Sequence, residues 1–307
     1  MHNDCHWLLW IIVTTQSSQA ITAIGVPAPR APRDGGGAAD RTADRLVALC
    51  EELERTDLRP SPVVDAAFGE LVRLCCHPPA GVIGQVLDRL APHVDRLRRL
   101  SSAGEGLMER YWADRIVGAP DPAAELEQFP YLGNYLDLVR LELAALDAVG
   151  LGVPRRVVVL GSGPLPLTGL VLAARHGAEV LHVDRDPAAL AAGTAVAEAI
   201  GTRTRAMVAD LSSAALPAEL VAEIGCADLV LLGALVGADA AAKDAITTRL
   251  ADVAGPDTGL LVRTAAGLRT LLYPEVLPAD LPGLDVLLEV HPRTDVVNSV
   301  LVARAPG

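Results

Sequence analysis

The chain of 307 residues is 51% hydrophobic and only 3% aromatic, apolar enough to bury a sizeable core and to argue against disorder over most of its length. Its formal net charge of -12 repels polyphosphate backbones, which argues against nucleic acid as a partner. An apolar content made mainly of Ala, Leu and Val suits helices alternating with buried parallel strands, so an α/β fold is expected.

In chain order, residues 7–13 (WLLWIIV) are the one segment that mimics a membrane signal, but the run is too short to span a bilayer and lacks a basic stretch before it. Small residues from Ser17 to Ala20 leave a cleaved export signal as the alternative to a disordered leader. Residues 27–37 are rich in Pro, Gly, Ala and Arg and read as a flexible linker, so residues 1–37 are expected to stand outside the folded body. Over residues 38–150 apolar side chains recur at helical spacing: Leu46, Val47 and Cys50; Val64, Ala67, Leu71 and Leu74; Val86, Leu90, Val94 and Leu97. Ser61 and Pro62 supply an N-cap and a first-turn proline. The stretch predicts a bundle of five or six helices.

After Gly152 the rhythm changes. Short β-branched runs at 157–160, 180–183, 206–208, 229–232, 260–262 and 296–302 alternate with Ala- and Leu-rich helical stretches. Residues 151–307 therefore predict a doubly wound, Rossmann-like sheet. The helix joining the first two runs, residues 167–176, is closed by Gly177. No internal repeat is visible. The five cysteines include the adjacent Cys75 and Cys76 but no C-x-x-C, and His2 with His6 is the only histidine pair at metal-binding spacing. Neither a disulfide framework nor a bound metal is expected, and a reduced, cytoplasmic setting fits.

Ligands of such sheets bind beyond the carboxyl ends of the strands, where the winding reverses. The first turn there reads Gly161-Ser162-Gly163-Pro164-Leu165-Pro166. Its glycines admit close backbone approach and the next helix offers unpaired amides, although such a turn also occurs as a plain tight turn. Pro166 replaces the last glycine of the dinucleotide fingerprint, which counts against a pyrophosphate grip and a nicotinamide cofactor. Asp184, at the tip of the second run, is placed to accept both hydroxyls of a ribose, and Asp186 to cap the helix begun by Pro187. Asp210, after the third run, is either an acceptor for an adenine amino group or a cap ahead of a helix at Ser212. These residues describe an adenosine pocket, for which S-adenosylmethionine is the common ligand.

The segment VVVLGSGPLPLTGLVL at 157–172 resembles the signature of nicotianamine synthases and their bacterial metallophore-making relatives. Further strings similar to that family are FPYLGNYLDLVRLE at 129–142, LLGALVG at 231–237, RTAAGLRTLLYPEV at 263–276 and HPRTDVVNSVLVAR at 291–304. The resemblance runs from about Leu46 to the C-terminus. It implies a helical domain covering a Rossmann-like domain, and transfer of the aminocarboxypropyl arm of S-adenosylmethionine to an amine with release of methylthioadenosine. The acceptor stays open between another aminocarboxypropyl unit, glutamate, histidine and a different amine, as do the number of transfers and the closing of an azetidine ring.

Attack by an amine needs a general base whose pKa lies near the working pH. Glu105 and Glu109 stand one helical turn apart in GEGLMERYW, an arrangement with a cost unless something uses it. The resemblance places a base in this helix. The plainer alternatives are a capping box from Ser102 to Glu105, and a solvated Glu109 beside Arg110. Tyr131 and Tyr135 are candidates to orient the substrate, although single tyrosines more often pack in cores. Leu132-Gly133 departs from the aromatic and polar pair common in plant members. Arg263 and Tyr273 are expected to hold a substrate carboxylate, with a structural ion pair as the rival for Arg263. Asn298 and His291 are assigned to turns or core hydrogen bonds. A conventional methyltransferase, a nicotinamide-dependent oxidoreductase and a non-catalytic nucleotide-binding protein are the competing functions. The expected partner is a small molecule, with no membrane involved; no motif encodes an oligomeric state, and a homodimer is compatible with the sequence.

Overall fold

Helix α1 (Gly35–Glu54) buries Leu46, Leu49, Cys50 and Leu53, the i, i+3, i+4, i+7 stripe of an amphipathic helix. It opens the longest stretch of a computed structural model that describes residues 11–12, 35–213, 215–237 and 240–306. The helix starts at Gly35, a few residues inside the expected linker, a shift of the size usual at frayed helix ends. Ile11–Ile12, expected outside the folded body, instead pair antiparallel with residues 289–290 at the edge of the sheet, where an unpaired strand edge offers backbone partners; the rest of the leader and of the linker lie outside the described residues.

Helix α2 (Pro62–Cys76) begins as its sequence demands, with Ser61 Oγ accepting from the Val64 amide and Pro62 in the first turn. Helices α3 (Ile83–Leu90), α4 (Val94–Gly118), α5 (Pro122–Leu126) and α6 (Leu132–Ala148) complete the part before the parallel strands. Ser102 and Glu105 sit in the middle of α4, so the capping-box alternative is wrong: the helix had already begun at Val94. Buried side chains of α1, α2 and α3 form one core with Leu268, Leu271 and Leu272 from a 3-10 turn near the C-terminal part of the chain. Trp112, Ala113 and Ile116 of α4 pack on Leu165, Leu167, Leu170 and Val196. These two clusters fix the helices against the connections and helices of the strand-bearing part of the chain.

The sheet contains β1 (Ile11–Ile12), β2 (Arg156–Leu160), β3 (Glu179–Asp184), β4 (Arg205–Val208), β5 (Leu229–Leu232), β6 (Gly259–Thr264), β7 (Asp285–Val290) and β8 (Ser299–Arg304). Its order is β1-β7-β8-β6-β5-β2-β3-β4. Strands β2 to β6 are parallel, while β8 runs antiparallel between β6 and β7. Connecting helices are α7 (Leu167–His176), α8 (Pro187–Ala199), α9 (Ala218–Gly225) and α10 (Ala240–Val253). Gly177 ends α7 in the left-handed region at φ 68°.

Alternation along the strands divides the core. Val157 and Val159 of β2 face α6 and α7, whereas Val158 and Leu160 face α9 and α10. Strand β7 is absent from the sequence expectation, because LDVLLEV carries charges at Asp285 and Glu289 and a register shift between Val286 and Leu288 breaks its alternation. The final strand begins at Ser299, not at residue 296. Chain winding reverses at β2, which has β3 on one side and β5 on the other. No helix among the described residues is long and apolar enough to cross a membrane. Cys50, Cys75, Cys76 and Cys226 are free thiols.

Candidate active site

A cavity of about 600 Å³ opens at this reversal point, bounded on one side by the turns after β2, β3, β4 and β5 and on the other by α2, α4 and α6. Its volume falls in the range of small-molecule sites. All the sequence-predicted site residues line it: Glu105, Glu109, Tyr131, Tyr135, Gly161, Ser162, Gly163, Pro164, Asp184, Asp210, Arg263 and Tyr273. They do not all face it in the expected way.

The nucleotide-side turn is shaped by close approaches. Gly161 and Gly163 have φ of 77° and 67°, a region that L side chains avoid. A Cβ on Gly161 would lie 2.1 Å from Val236 Cγ2, and one on Gly163 would lie 2.8 Å from Glu109 Oε2. The glycines therefore let the turn after β5 and the α4 carboxylate come against the backbone. Asp184 is fixed by the backbone: Oδ2 accepts from the Gly163 amide at 2.9 Å and Oδ1 from the Asp186 amide at 3.0 Å. Each carboxylate oxygen retains acceptor capacity for a hydroxyl. Asp186 caps α8, accepting from the Ala188 amide at 2.8 Å, as expected.

Asp210 requires a correction. It stands two residues beyond β4, and no helix follows at Ser212; the next helix is α9, at Ala218. Its Oδ1 instead closes a tight turn by accepting from the Ser212 hydroxyl at 2.7 Å and the Ser212 amide at 2.9 Å. Those bonds hold the carboxyl below its usual range.

On the helical side, Glu109 is buried, not solvated as the plainer alternative held. Its Oε1 accepts from the Tyr135 hydroxyl at 3.0 Å, and Glu105 Oε2 accepts from the Tyr273 hydroxyl at 2.8 Å. Two carboxylate–phenol pairs, contributed by α4, α6 and the segment after β6, thus stand side by side. Burial pushes Glu109 well above the usual carboxylate range, and its neighbours Glu105 and Asp184 push it further. The hydrogen bond from Tyr135 and the charge of Arg263 oppose that rise only in part. Glu105 is raised by burial and partly restrained by Tyr273 and Arg263. Burial, then the adjacent carboxylates, raises Tyr135 and Tyr273 well above 10, so both are firm hydrogen-bond donors. Tyr131 lines the cavity, its ring edge-on to Phe129 with centroids 6.0 Å apart.

Arg263 is an ion-pair residue as well as a lining one. Its Nε donates to Glu142 Oε1 at 2.7 Å and Nη2 donates to Thr168 Oγ1 at 2.6 Å. Burial pulls the guanidinium down, but Glu142 outweighs it and holds Arg263 above its ordinary value. The rival expectation of a structural ion pair is met, with the residue still at the cavity wall.

This arrangement places the turns at the strand tips beside a raised glutamate pair. The sequence profile of the family described as nicotianamine synthase protein matches residues 39–307. The chain belongs to the nicotianamine synthase family. Nicotianamine synthase 1 of Oryza sativa subsp. japonica is 38% identical over 263 residues, covering 81% of this chain and 76% of the relative. Nicotianamine synthase of Solanum lycopersicum is 32% identical over 271 residues, covering 85% and 82%. The solved structure of MtNAS in complex with MTA and tNA superposes with a TM-score of 0.73 at 20% identity, covering 90% of this chain and all of that one, and so shares the fold.

Four residues near this nicotianamine synthase-like site escaped the sequence reading. Glu142 and Thr168 hold Arg263; Thr168 opens an otherwise apolar run, whereas Glu142 shares its helix with Asp137, Arg140 and Asp147 and gives no such signal. Gly193 of α8 lets Pro166 approach, since a Cβ there would meet Pro166 Cδ at 2.9 Å. Lys243 of α10 is buried and donates to the Ala234 carbonyl at 3.1 Å, pinning the turn after β5; burial brings it down to about 8. Nothing in its local sequence separates it from a surface lysine. Among the described residues, no group of three or more His, Cys, Asp or Glu is arranged to hold a metal ion.

Proposed function

We propose that the chain transfers the aminocarboxypropyl group of S-adenosylmethionine to the amine of a small-molecule acceptor, making nicotianamine or a related metallophore and releasing methylthioadenosine. The observation that carries this reading is the contact of Glu109 with the Gly163 turn: a carboxylate of raised proton affinity stands directly against the nucleotide pocket. A methyl transfer to oxygen or carbon does not by itself call for such a pair, whereas an amino acid acceptor arrives protonated and has to lose a proton before it can attack. Glu109 takes that proton. The freed lone pair attacks the methylene carbon beside the sulfonium; the C–N bond forms, the C–S bond breaks with its electron pair going to sulfur, and neutral methylthioadenosine leaves. Tyr135 and Tyr273 hold the two glutamates in place, and Arg263 is the group suited to a substrate carboxylate.

Asp184 is assigned to the ribose and Asp210 to the adenine edge of the nucleotide. The Gly161, Ser162, Gly163 and Pro164 turn takes the nucleotide's closest approach, with Tyr131 beside the acceptor. Three relations support the assignment: the names of the curated relatives, the bound MTA named for the fold neighbour, and the backbone-satisfied carboxylates at the strand tips. Neither nucleic acid nor a membrane enters the reaction. Incubation with S-adenosylmethionine and a panel of amino acids, followed by mass spectrometry, tests the reading. Aminocarboxypropyl adducts together with methylthioadenosine are expected, and S-adenosylhomocysteine as the sole spent nucleotide would replace this reaction with a methyl transfer.

A further inference from the structure

Among the described residues, the cavity wall carries two basic side chains, Arg185 at the tip of β3 and Arg263 of β6, against six carboxylates. Arg263 is therefore the one cation on the glutamate side, and how it is held decides what it can do. Its ion pair with Glu142 is buried, with side-chain exposures of 12% and 3%. Arginine–carboxylate pairs are frequently bidentate, with both prongs of the fork on one carboxylate. Here Glu142 receives Nε alone, its Oε2 is buried with no hydrogen-bond partner, and Nη2 is taken by Thr168. A buried carboxylate oxygen left empty is a standing cost that calls for an explanation. Nη1 has no hydrogen-bond partner among the described residues, on a side chain that lines the cavity.

We infer that Glu142 is a positioning residue for the transfer step: with Thr168 it turns Arg263 so that Nη1 is offered to a substrate carboxylate, and its charge keeps the guanidinium from closing on Glu105 or Glu109. The inference rests on the reading in which Glu109 takes the acceptor's proton. The groups that face Glu109 are Glu105 of its own helix, Tyr135 of α6, Asp184 of β3, Arg263 of β6 and Tyr273, while Tyr273 and Tyr131 face Glu105. Arg263 is the sole cation in this set, so its effective charge sets how basic the pair remains. With Glu142 beside it, most of that charge is balanced. Without Glu142, an uncompensated buried cation stabilises the ionised glutamates and draws one of them into an ion pair that takes a proton less readily.

The test is the pH dependence of methylthioadenosine formation in the parent protein, Glu142→Gln, Glu142→Asp and Thr168→Val. The base acts when ionised, so the rate climbs with pH through its titration, and a less basic pair moves that acid limb to lower pH. In Glu142→Gln the limb is expected to fall by about one pH unit or more. Glu142→Asp keeps the charge but lengthens the pair, and a smaller shift in the same direction is expected. Thr168→Val keeps both charges and should lose activity with the limb in place. A role confined to folding lowers the active fraction and leaves every limb where it was. A static limb in folded Glu142→Asp overturns the inference even if Glu142→Gln does not fold, and so does a Thr168→Val limb that moves as far as that of either Glu142 variant. A parent that turns over while the limbs stay fixed defeats this inference alone, whereas a parent that never forms methylthioadenosine defeats the proposed reaction with it.

Discussion

On the nucleotide side of the cavity the carboxylates are satisfied by the chain's own backbone. Asp184 accepts from the amides of Gly163 and Asp186, and Asp210 from Ser212, whose bonds hold it low. On the helical side Glu105 and Glu109 receive one phenol each, lie close together and are driven up by burial. The first wall is a rigid cradle of fixed charge, suited to recognition. The second stores proton affinity, which is what a base needs and what a stable fold disfavours. In the proposed reaction, binding and chemistry are thus divided between the strand tips and α4, and the two walls meet where Glu109 approaches Gly163.

Replacing the raised carboxylate separates the walls most sharply. Glu109→Gln keeps the shape and the acceptor for Tyr135 but removes the base, so methylthioadenosine formation is expected to fall by about 10²- to 10⁴-fold. Calorimetric affinity for S-adenosylmethionine should stay within about tenfold of the parent. The same variant should be more stable. A carboxyl raised in the folded state contributes stability that is present below its unfolded pKa and lost as pH rises through the folded one. At neutral pH Glu109 therefore weighs against folding, and its neutral replacement is expected to raise Tm by about 2–4 °C, with the gain shrinking toward acidic pH. An unchanged rate would remove Glu109 from the chemistry, and a lower Tm at neutral pH would remove the stored strain.

Gly163→Ala attacks the seam between the walls. The backbone conformation costs about 1–2 kcal/mol for an L side chain, and the new methyl meets Glu109 Oε2. The carboxylate has to move, and a displacement of that order is expected to slow methylthioadenosine formation by roughly 10- to 100-fold. In a Glu109→Gln background the further loss should be much smaller, because the group displaced no longer acts as a base. Equal losses in both backgrounds would mean that Gly163 serves nucleotide binding alone.

Tyr135→Phe sharpens the second wall without disturbing the first. The phenol hydrogen bond favours ionised Glu109, so its removal raises the glutamate further and the acid limb of the rate profile moves to higher pH, by about half a unit to one unit. That is the opposite direction to the shift expected from the Glu142 variants. A limb that moves down in both would show that burial changes, and not the named partners, set the base.

The two walls also differ in how far their sequence discloses them. The cradle is local: Gly161, Gly163 and Asp184 lie at the ends of β2 and β3, and the strand periodicity brings them together with little help from the rest of the chain. Asp186 and Gly177 follow cap chemistry at the correct positions. The glutamate wall needs contacts over long separations. The spacing of Glu105 and Glu109 hints at a shared face, but Tyr273 lies 168 residues away from its partner Glu105. Glu142 and Thr168 acquire meaning only once β6 delivers Arg263 between them, 121 and 95 residues distant. Cap and turn rules mislead when several fit one residue: Ser102 with Glu105 matched a capping box inside a helix that had begun earlier, and Asp210 matched a helix cap where a tight turn stands.

Asp210 offers the finest cut, because the observed turn and the proposed adenine contact use different oxygens of one carboxylate. Oδ1 carries both bonds from Ser212 and closes the turn, while Oδ2 is the atom left for an adenine amino group. Asp210→Asn retains a carbonyl oxygen that can keep the turn but presents an NH₂ where Oδ2 stood. A donor then meets a donor, and affinity for S-adenosylmethionine is expected to fall by roughly 3- to 10-fold. Because methylthioadenosine carries the same adenine, its affinity should fall by the same factor, with thermal stability unchanged. Loss for one nucleotide and not the other would place Asp210 nearer the sulfur chain than the base. No loss for either would leave it a turn residue, and the recognition assigned to the strand tips would narrow to Asp184 and the glycine turn.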